Sequence, residues 1–208
     1  EPVLNAIMRL FALVAKEDLI TKQEREHIKV FLSDHLSQRA TEIHLQLFDT
    51  YAVEMSNKLS LAQEKDTITE ICRSINIEVA QKQKIVIVLE LMSVILADGA
   101  ISDREQALAL QISEALNIQT TDLDLIKDYV LAKERTATQS EDILIVDSQP
   151  NTPAPCKHIL RESLNGFISI LYLHSTDTFF FKYIGNSDVY LNGVPQKSGS
   201  IIVLATGS

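Results

Sequence analysis

The chain has 208 residues, of which 46% are hydrophobic and 23% charged, and its formal net charge is −9. Such a length and balance suit a soluble globular protein with one ordinary core and a smaller second one. The charge is uneven, −10 over residues 1–150 and +1 over residues 151–208. The acidic N-terminal part therefore repels phosphate backbones, which disfavours nucleic acid and favours a basic or metal-bearing partner.

In chain order, Leu4, Ile7, Phe11 and Val14 recur at helical spacing around Arg9, with no small-residue cleavage pattern after them. This predicts an amphipathic helix over Pro2 to Lys16 and not a signal peptide. Further helices are expected over Thr21 to Leu36, Arg39 to Met55, Asp66 to Ser74, Glu78 to Ala97, Ser102 to Leu116 and Thr121 to Lys133, about seven in all. The most apolar run, Ile85 to Ala97, has 13 residues and contains Glu90. Crossing a bilayer takes roughly 20 residues, so this run reads as a buried central helix of a cytoplasmic protein.

The style of the sequence then changes. Gly99 is the one glycine among the first 150 residues, whereas the last 58 hold the other five and seven of the 12 aromatics. The expected organisation is a helical domain over 1–135, a linker over 136–157 containing a candidate strand at Ile143 to Val146, and a small β-rich module over 158–208. Residues 167–174, Thr178 to Ile184, Val189 to Leu191 and Ile201 to Leu204 read as strands, and Asn192-Gly193 as a two-residue hairpin turn. In Phe179-Phe180-Phe181, two of the three rings are expected to pack inward. The fold class is multi-domain α plus β: an all-α bundle with internal duplication, then a small all-β module. The opening on Glu1 and the stop just after a strand predict a fragment of something longer.

The duplication is legible at one joint. Ala97-Asp98-Gly99-Ala100-Ile101-Ser102-Asp103-Arg104-Glu105 has a degenerate twin in Lys16-Glu17-Asp18-Leu19-Ile20-Thr21-Lys22-Gln23-Glu24, 81 residues earlier. Gly99, or Asp18 in the first copy, suits the left-handed residue that ends a helix. Thr21 with Glu24 and Ser102 with Glu105 each have the spacing of a capping box that starts the next helix.

Chemistry is harder to find. There is no glycine-rich phosphate loop and no nucleophile elbow, so the chain is expected not to be an enzyme. Cys72 and Cys156 fall in different parts and predict neither a disulfide framework nor a cysteine metal site. His27 and His35 are eight residues apart, too far to offer one ion an i, i+4 pair, so these and His44 read as solvated or core-edge residues. Taking Asp98-Gly99 as the middle of a calcium loop would put Val94 and Leu96 where oxygen ligands are required, which removes the EF-hand reading. Two accounts of the acidic rim Asp98, Asp103 and Glu105 stand side by side: a divalent-cation site, or helix-capping and helix-dipole residues.

The segment Val94 to Glu105, an apolar helix ending in Ala-Asp-Gly and followed by Ala-Ile-Ser-Asp-Arg-Glu, resembles the hallmark of tellurite-resistance TerB-like domains. That resemblance covers about residues 1–135 and implies an all-helical, pseudo-symmetric bundle. Members include acidic proteins that bind divalent cations, which makes Asp98, Asp103 and Glu105 the positions onto which a metal site carries over. The first copy has Glu17-Asp18 in place of Asp98-Gly99. Tyr190-Leu191-Asn192-Gly193-Val194-Pro195, with Gly199 to Gly207, resembles the closing strands of a forkhead-associated domain without its phosphothreonine-reading residues. In series, the two segments look like the N-terminal cytoplasmic region of some bacterial ATP-binding-cassette transporter ATPase subunits. The resemblance implies a non-catalytic regulatory region at the inner face of the membrane, whose partner is an ATPase part of the same chain beginning after Ser208. The competing reading is a free-standing, divalent-metal-binding stress protein.

Overall fold

The structure, a computed structural model, describes residues 2–15, 20–56, 61–97, 99–137, 139–151 and 154–204. It divides into two compact units, Glu1–Ile126 and Lys127–Ser208. The division falls inside a helix, although the composition changes only near residue 135.

The first unit contains α1 (Pro2–Val14), α2 (Lys22–His35), α3 (Gln38–Ser56), α4 (Leu61–Glu78), α5 (Gln81–Ile95), α6 (Asp103–Ala115) and the start of α7 (Thr120–Leu131). Helix α1 is the hub: Met8, Leu10, Phe11, Ala12 and Leu13 are fully buried, and the helix packs on α3, α4, α5 and α6. Its counterpart α5 buries Ile85, Ile87, Val88, Leu89, Leu91, Met92, Val94 and Ile95, which makes it a central helix too. The repeat is geometric as well as textual. Helices α1 and α5 end at Val14 and Ile95, and α2 and α6 begin at Lys22 and Asp103, in both cases 81 residues apart. No described helix is long and apolar enough to cross a membrane.

Two boundaries differ from expectation. Helix α4 outruns the predicted Asp66 to Ser74 at both ends, where tertiary contacts hold it: Glu64 before the predicted start pairs with Arg104 of α6, and after the predicted end Ile75 is buried and Asn76 donates to the Ala115 carbonyl at 2.8 Å. Helix α5 starts at Gln81 and not Glu78, because the Gln83 carboxamide accepts the Ala80 backbone N–H at 3.2 Å and fixes the new N-terminus there.

The second unit is built on a five-stranded sheet of order β2-β1-β3-β4-β7, with β1 Ile143–Asp147, β2 Lys157–Leu160, β3 Gly166–Leu173, β4 Thr178–Gly185 and β7 Ile201–Leu204. A separate hairpin pairs β5 (Tyr190–Leu191) with β6 (Val194–Pro195), and its turn residues Asn192 and Gly193 have φ of +50° and +80°. Strand β2 was not expected. It runs parallel to β1, and its short Lys-His-Ile-Leu sequence carries little alternation. The other pairings of the sheet are antiparallel.

Alternation splits the sheet into two faces. Ile143, Ile145, Asp147, Ser169, Leu171, Phe180 and Lys182 are buried on one, while Phe181 and Tyr183 join Leu164 in a cluster on the other. Phe180 and Phe181 thus both pack inward, on opposite faces. Where β3 meets β4, Gly166 (φ +111°) pairs with Gly185, and a Cβ on Gly166 would lie 2.1 Å from the Ile184 carbonyl oxygen. Only glycine fits that approach.

Candidate functional site

The duplicated joint is the natural starting point. Thr21 and Ser102 adopt nearly identical extended conformations, φ −70° and ψ 155° against φ −75° and ψ 157°. The Thr21 hydroxyl accepts the Glu24 N–H at 3.1 Å, and the Glu24 carboxylate accepts the Thr21 N–H at 2.7 Å. In the second copy the Ser102 hydroxyl accepts the Glu105 N–H at 3.2 Å, and the Glu105 carboxylate accepts the Ser102 N–H at 2.7 Å. Gly99 has φ +86° and donates to the Leu96 carbonyl, but α5 has already ended with Leu96 as its cap. The glycine therefore shapes the loop three residues beyond the cap and is not the C′ residue itself.

Of the acidic rim, Asp103 is exposed and Glu105 half-buried, with its carboxylate turned back onto its own cap. Asp103 and Glu105 are two positions apart on one helix, about 200° around its axis, so they point away from each other. Asp98, together with Glu17 and Asp18 of the first copy, lies outside the described residues. Among the described residues no group of three or more His, Cys, Asp or Glu is arranged to hold a metal ion. Beside the joint, Arg104 of α6 reaches Glu64 of α4 at 2.5 Å, and the Glu64 side chain is only 5% exposed.

The family of the tellurite resistance protein TerB matches residues 4–128, the helices just described. The chain belongs to the TerB family. No curated protein and no solved structure matches it. The family match ends within α7, so the sheet unit lies largely outside it.

Inside the TerB segment one further group stands out. Arg9 and Glu90 occupy the same position of the repeat, on α1 and α5. Arg9 reaches Glu70 of α4 at 3.5 Å. Glu90 is half-buried, and desolvation pushes its carboxyl up to about 7, with His35 opposing the rise and Asp34 adding to it.

Downstream of the TerB segment the sheet unit holds two buried polar groupings that periodicity did not single out. Asp147, at the end of β1, accepts from His158 of β2 at 3.0 Å and from the Gln149 N–H at 2.9 Å, and lies 2.5 Å from Arg135 Nε. Arg135 also donates to the Gln149 side chain at 2.7 Å and to the Asn151 carbonyl at 2.5 Å. Burial alone would raise the Asp147 carboxyl; the bonds from His158 and Gln149 and the Arg135 charge outweigh it and hold it below its ordinary range. The available signal was position: Ile143, Ile145 and Asp147 alternate onto one buried face.

The second grouping ties the end of α7 to β3 and β4. The Tyr129 hydroxyl lies 2.7 Å from the Ser169 carbonyl and 3.0 Å from that of Phe180. Lys182, 2% exposed, donates to the Ala132 carbonyl at 2.8 Å and to the Tyr129 carbonyl, with its ammonium 4.6 Å from the Tyr129 ring centroid. A cation at a helix C-terminus is favoured by the helix dipole. Burial nevertheless depresses the lysine to about 8.

Proposed function

We propose that this TerB-family chain is a non-catalytic regulatory and interaction region of a bacterial ATP-binding-cassette transporter ATP-binding protein, cytoplasmic and brought to the membrane through the ATPase it serves. The observation that carries the reading is where the carboxylates go. Glu24 and Glu105 cap their own helices, Glu64 is held by Arg104, and Asp147 by Arg135, His158 and a backbone N–H. These four carboxylates are thus engaged in holding the fold. Two compact units in series, a TerB bundle and a small sheet, are the arrangement that the resemblance to transporter ATPase subunits calls for.

The test is ATP hydrolysis by the full-length protein, by the same protein lacking residues 1–208, and by this chain alone. The reading expects hydrolysis in the first two, at different rates or with different coupling to transport, and none in the third. Turnover by this chain alone, or a full-length protein with no ATPase, contradicts it.

The family itself favours a second reading, a divalent-cation-binding stress protein with Asp98, Asp103 and Glu105 as ligands. It predicts that purified protein retains a divalent ion and melts higher with it than without.

A further inference from the structure

We propose that the Asn192-Gly193 turn is a self-modifying site, at which Asn192 of the folded protein converts to aspartate and isoaspartate while Asn165, also followed by glycine, is protected.

The chemistry needs only base and water. The backbone nitrogen of the residue after the asparagine, stripped of its proton by base, attacks the side-chain carbonyl carbon. A cyclic imide forms and the side-chain nitrogen leaves as ammonia. Water then opens one of the two imide carbonyls, which yields aspartate or, with the main chain rerouted through the side chain, isoaspartate. A following glycine favours the attack because no Cβ obstructs its nitrogen and its backbone turns freely. Asn165 and Asn192 are the asparagines of this chain that precede glycine.

At Asn192 the reaction is open. Both turn residues are exposed, and a Cβ placed on Gly193 would meet nothing within 4 Å. Among the described residues neither the Asn192 carboxamide nor the Gly193 N–H has a hydrogen-bond partner. The turn closes a hairpin that is separate from the five-stranded sheet, and of its strand residues Tyr190, Val194 and Pro195 are exposed and Leu191 half-buried. One more backbone bond, from the Gln196 N–H to the Val189 carbonyl at 2.8 Å, extends it. Two-stranded hairpins are marginal by themselves, so the turn opens readily and samples the rotation that brings the Gly193 nitrogen onto the Asn192 side chain.

Asn165 is held at both ends of its peptide units. Its N–H donates to the Ser187 hydroxyl at 2.9 Å, and its carbonyl accepts from the Tyr183 hydroxyl at 2.8 Å and from the Asn186 N–H at 3.2 Å. Its glycine, Gly166, is the one packed against Gly185 and the Ile184 carbonyl of β4. Rotating this segment breaks those bonds, which slows attack by about tenfold or more, the equivalent of one or two of them.

The products alter the surface of the sheet unit. Asn192 has φ +50°, a conformation that aspartate also tolerates, so that product keeps the turn and adds a negative charge. Isoaspartate inserts an extra main-chain carbon into a two-residue turn, and the Leu191–Val194 and Tyr190–Pro195 pairs lose their register. The exposed Tyr190 and Val194 side chains are displaced with them.

Peptide mass mapping of the whole folded chain incubated at pH 8, with aspartate and isoaspartate separated by chromatography, tests this beside the same chain in urea. Expected in the folded protein is conversion at Asn192 about tenfold or more faster than at Asn165. The Asn192 rate should fall at pH 6, because base must remove the Gly193 proton. In urea the two sites should convert at similar rates, since glycine follows both and only the fold separates them. Conversion at Asn192 no faster than at Asn165 in the folded protein, an Asn192 rate unchanged between pH 6 and pH 8, or the same preference for Asn192 in urea overturns the proposal.

Discussion

Replacing Lys182 by Met tests the physics of the sheet unit in depth. The folded lysine titrates near 8, against an ordinary value of 10.5. Between those values the unfolded chain binds more protons than the folded one, so stability rises with pH across the window. Below it, the buried ammonium costs about 3 kcal/mol relative to its solvated form, the free-energy equivalent of the shift. Removing it relieves that cost but leaves the Tyr129 and Ala132 carbonyls without their donor, at about 1–3 kcal/mol each. The two effects nearly cancel at pH 7, so the level of stability is a poor readout. The slope is a good one: from pH 8 to 9 the wild type should gain about 1 kcal/mol that Lys182→Met does not. Cys72, pushed up to about 12 by burial, and Tyr129, also raised, pull stability the other way at higher pH, so the difference between the two proteins is taken below pH 9. Urea unfolding followed by the tyrosine near-ultraviolet signal suits this unit, which contains Tyr129, Tyr172, Tyr183 and Tyr190 of the five tyrosines. Equal slopes in the two proteins would refute the reasoning.

The remaining predictions are local. Thr21→Ala and Ser102→Ala should each cost about 1 kcal/mol by loss of a cap, read from far-ultraviolet circular dichroism melts, with similar values because the two boxes share one geometry. Arg104→Met should cost about 3 kcal/mol, toward the low end for a broken pair because the arginine is about a third exposed, and Glu64→Gln in the same background should recover much of it. Asp147, held below its ordinary value, stabilises the fold above about pH 4, and that contribution is lost as pH falls further. Urea midpoints between pH 5 and 3 should fall less steeply in Asp147→Asn than in the wild type.

Much of the helical unit was legible because its signals are local. Thr21-x-x-Glu24 and Ser102-x-x-Glu105 specify their helix starts through neighbours three residues apart, and the apolar spacing of α1 and α5 specifies burial. The ends of α4 were not legible, since Glu64 and Asn76, beyond the predicted span, are held by contacts to α6 some 40 residues away and not by propensity. Strand β2 was missed for a similar reason: His158 earns its place by reaching Asp147 across the sheet, a contact between residues 11 apart. The tie from Lys182 to the end of α7 spans about 50 residues, and nothing in a lysine between Phe181 and Tyr183 announces it. At the candidate site the sequence named Asp103 and Glu105, and the geometry adds that the Glu105 carboxylate is turned to its own backbone.

The central claim is that the acidic residues of the duplicated joint build the TerB fold, leaving the chain to act by interaction. Melting temperatures of the wild type and Glu105→Gln, each in excess Ca²⁺, excess Mg²⁺ and EDTA, test it most directly. The account predicts a lower melting temperature for Glu105→Gln by the same amount in all three solutions. A cation-dependent rise in the wild type that Glu105→Gln abolishes would contradict it.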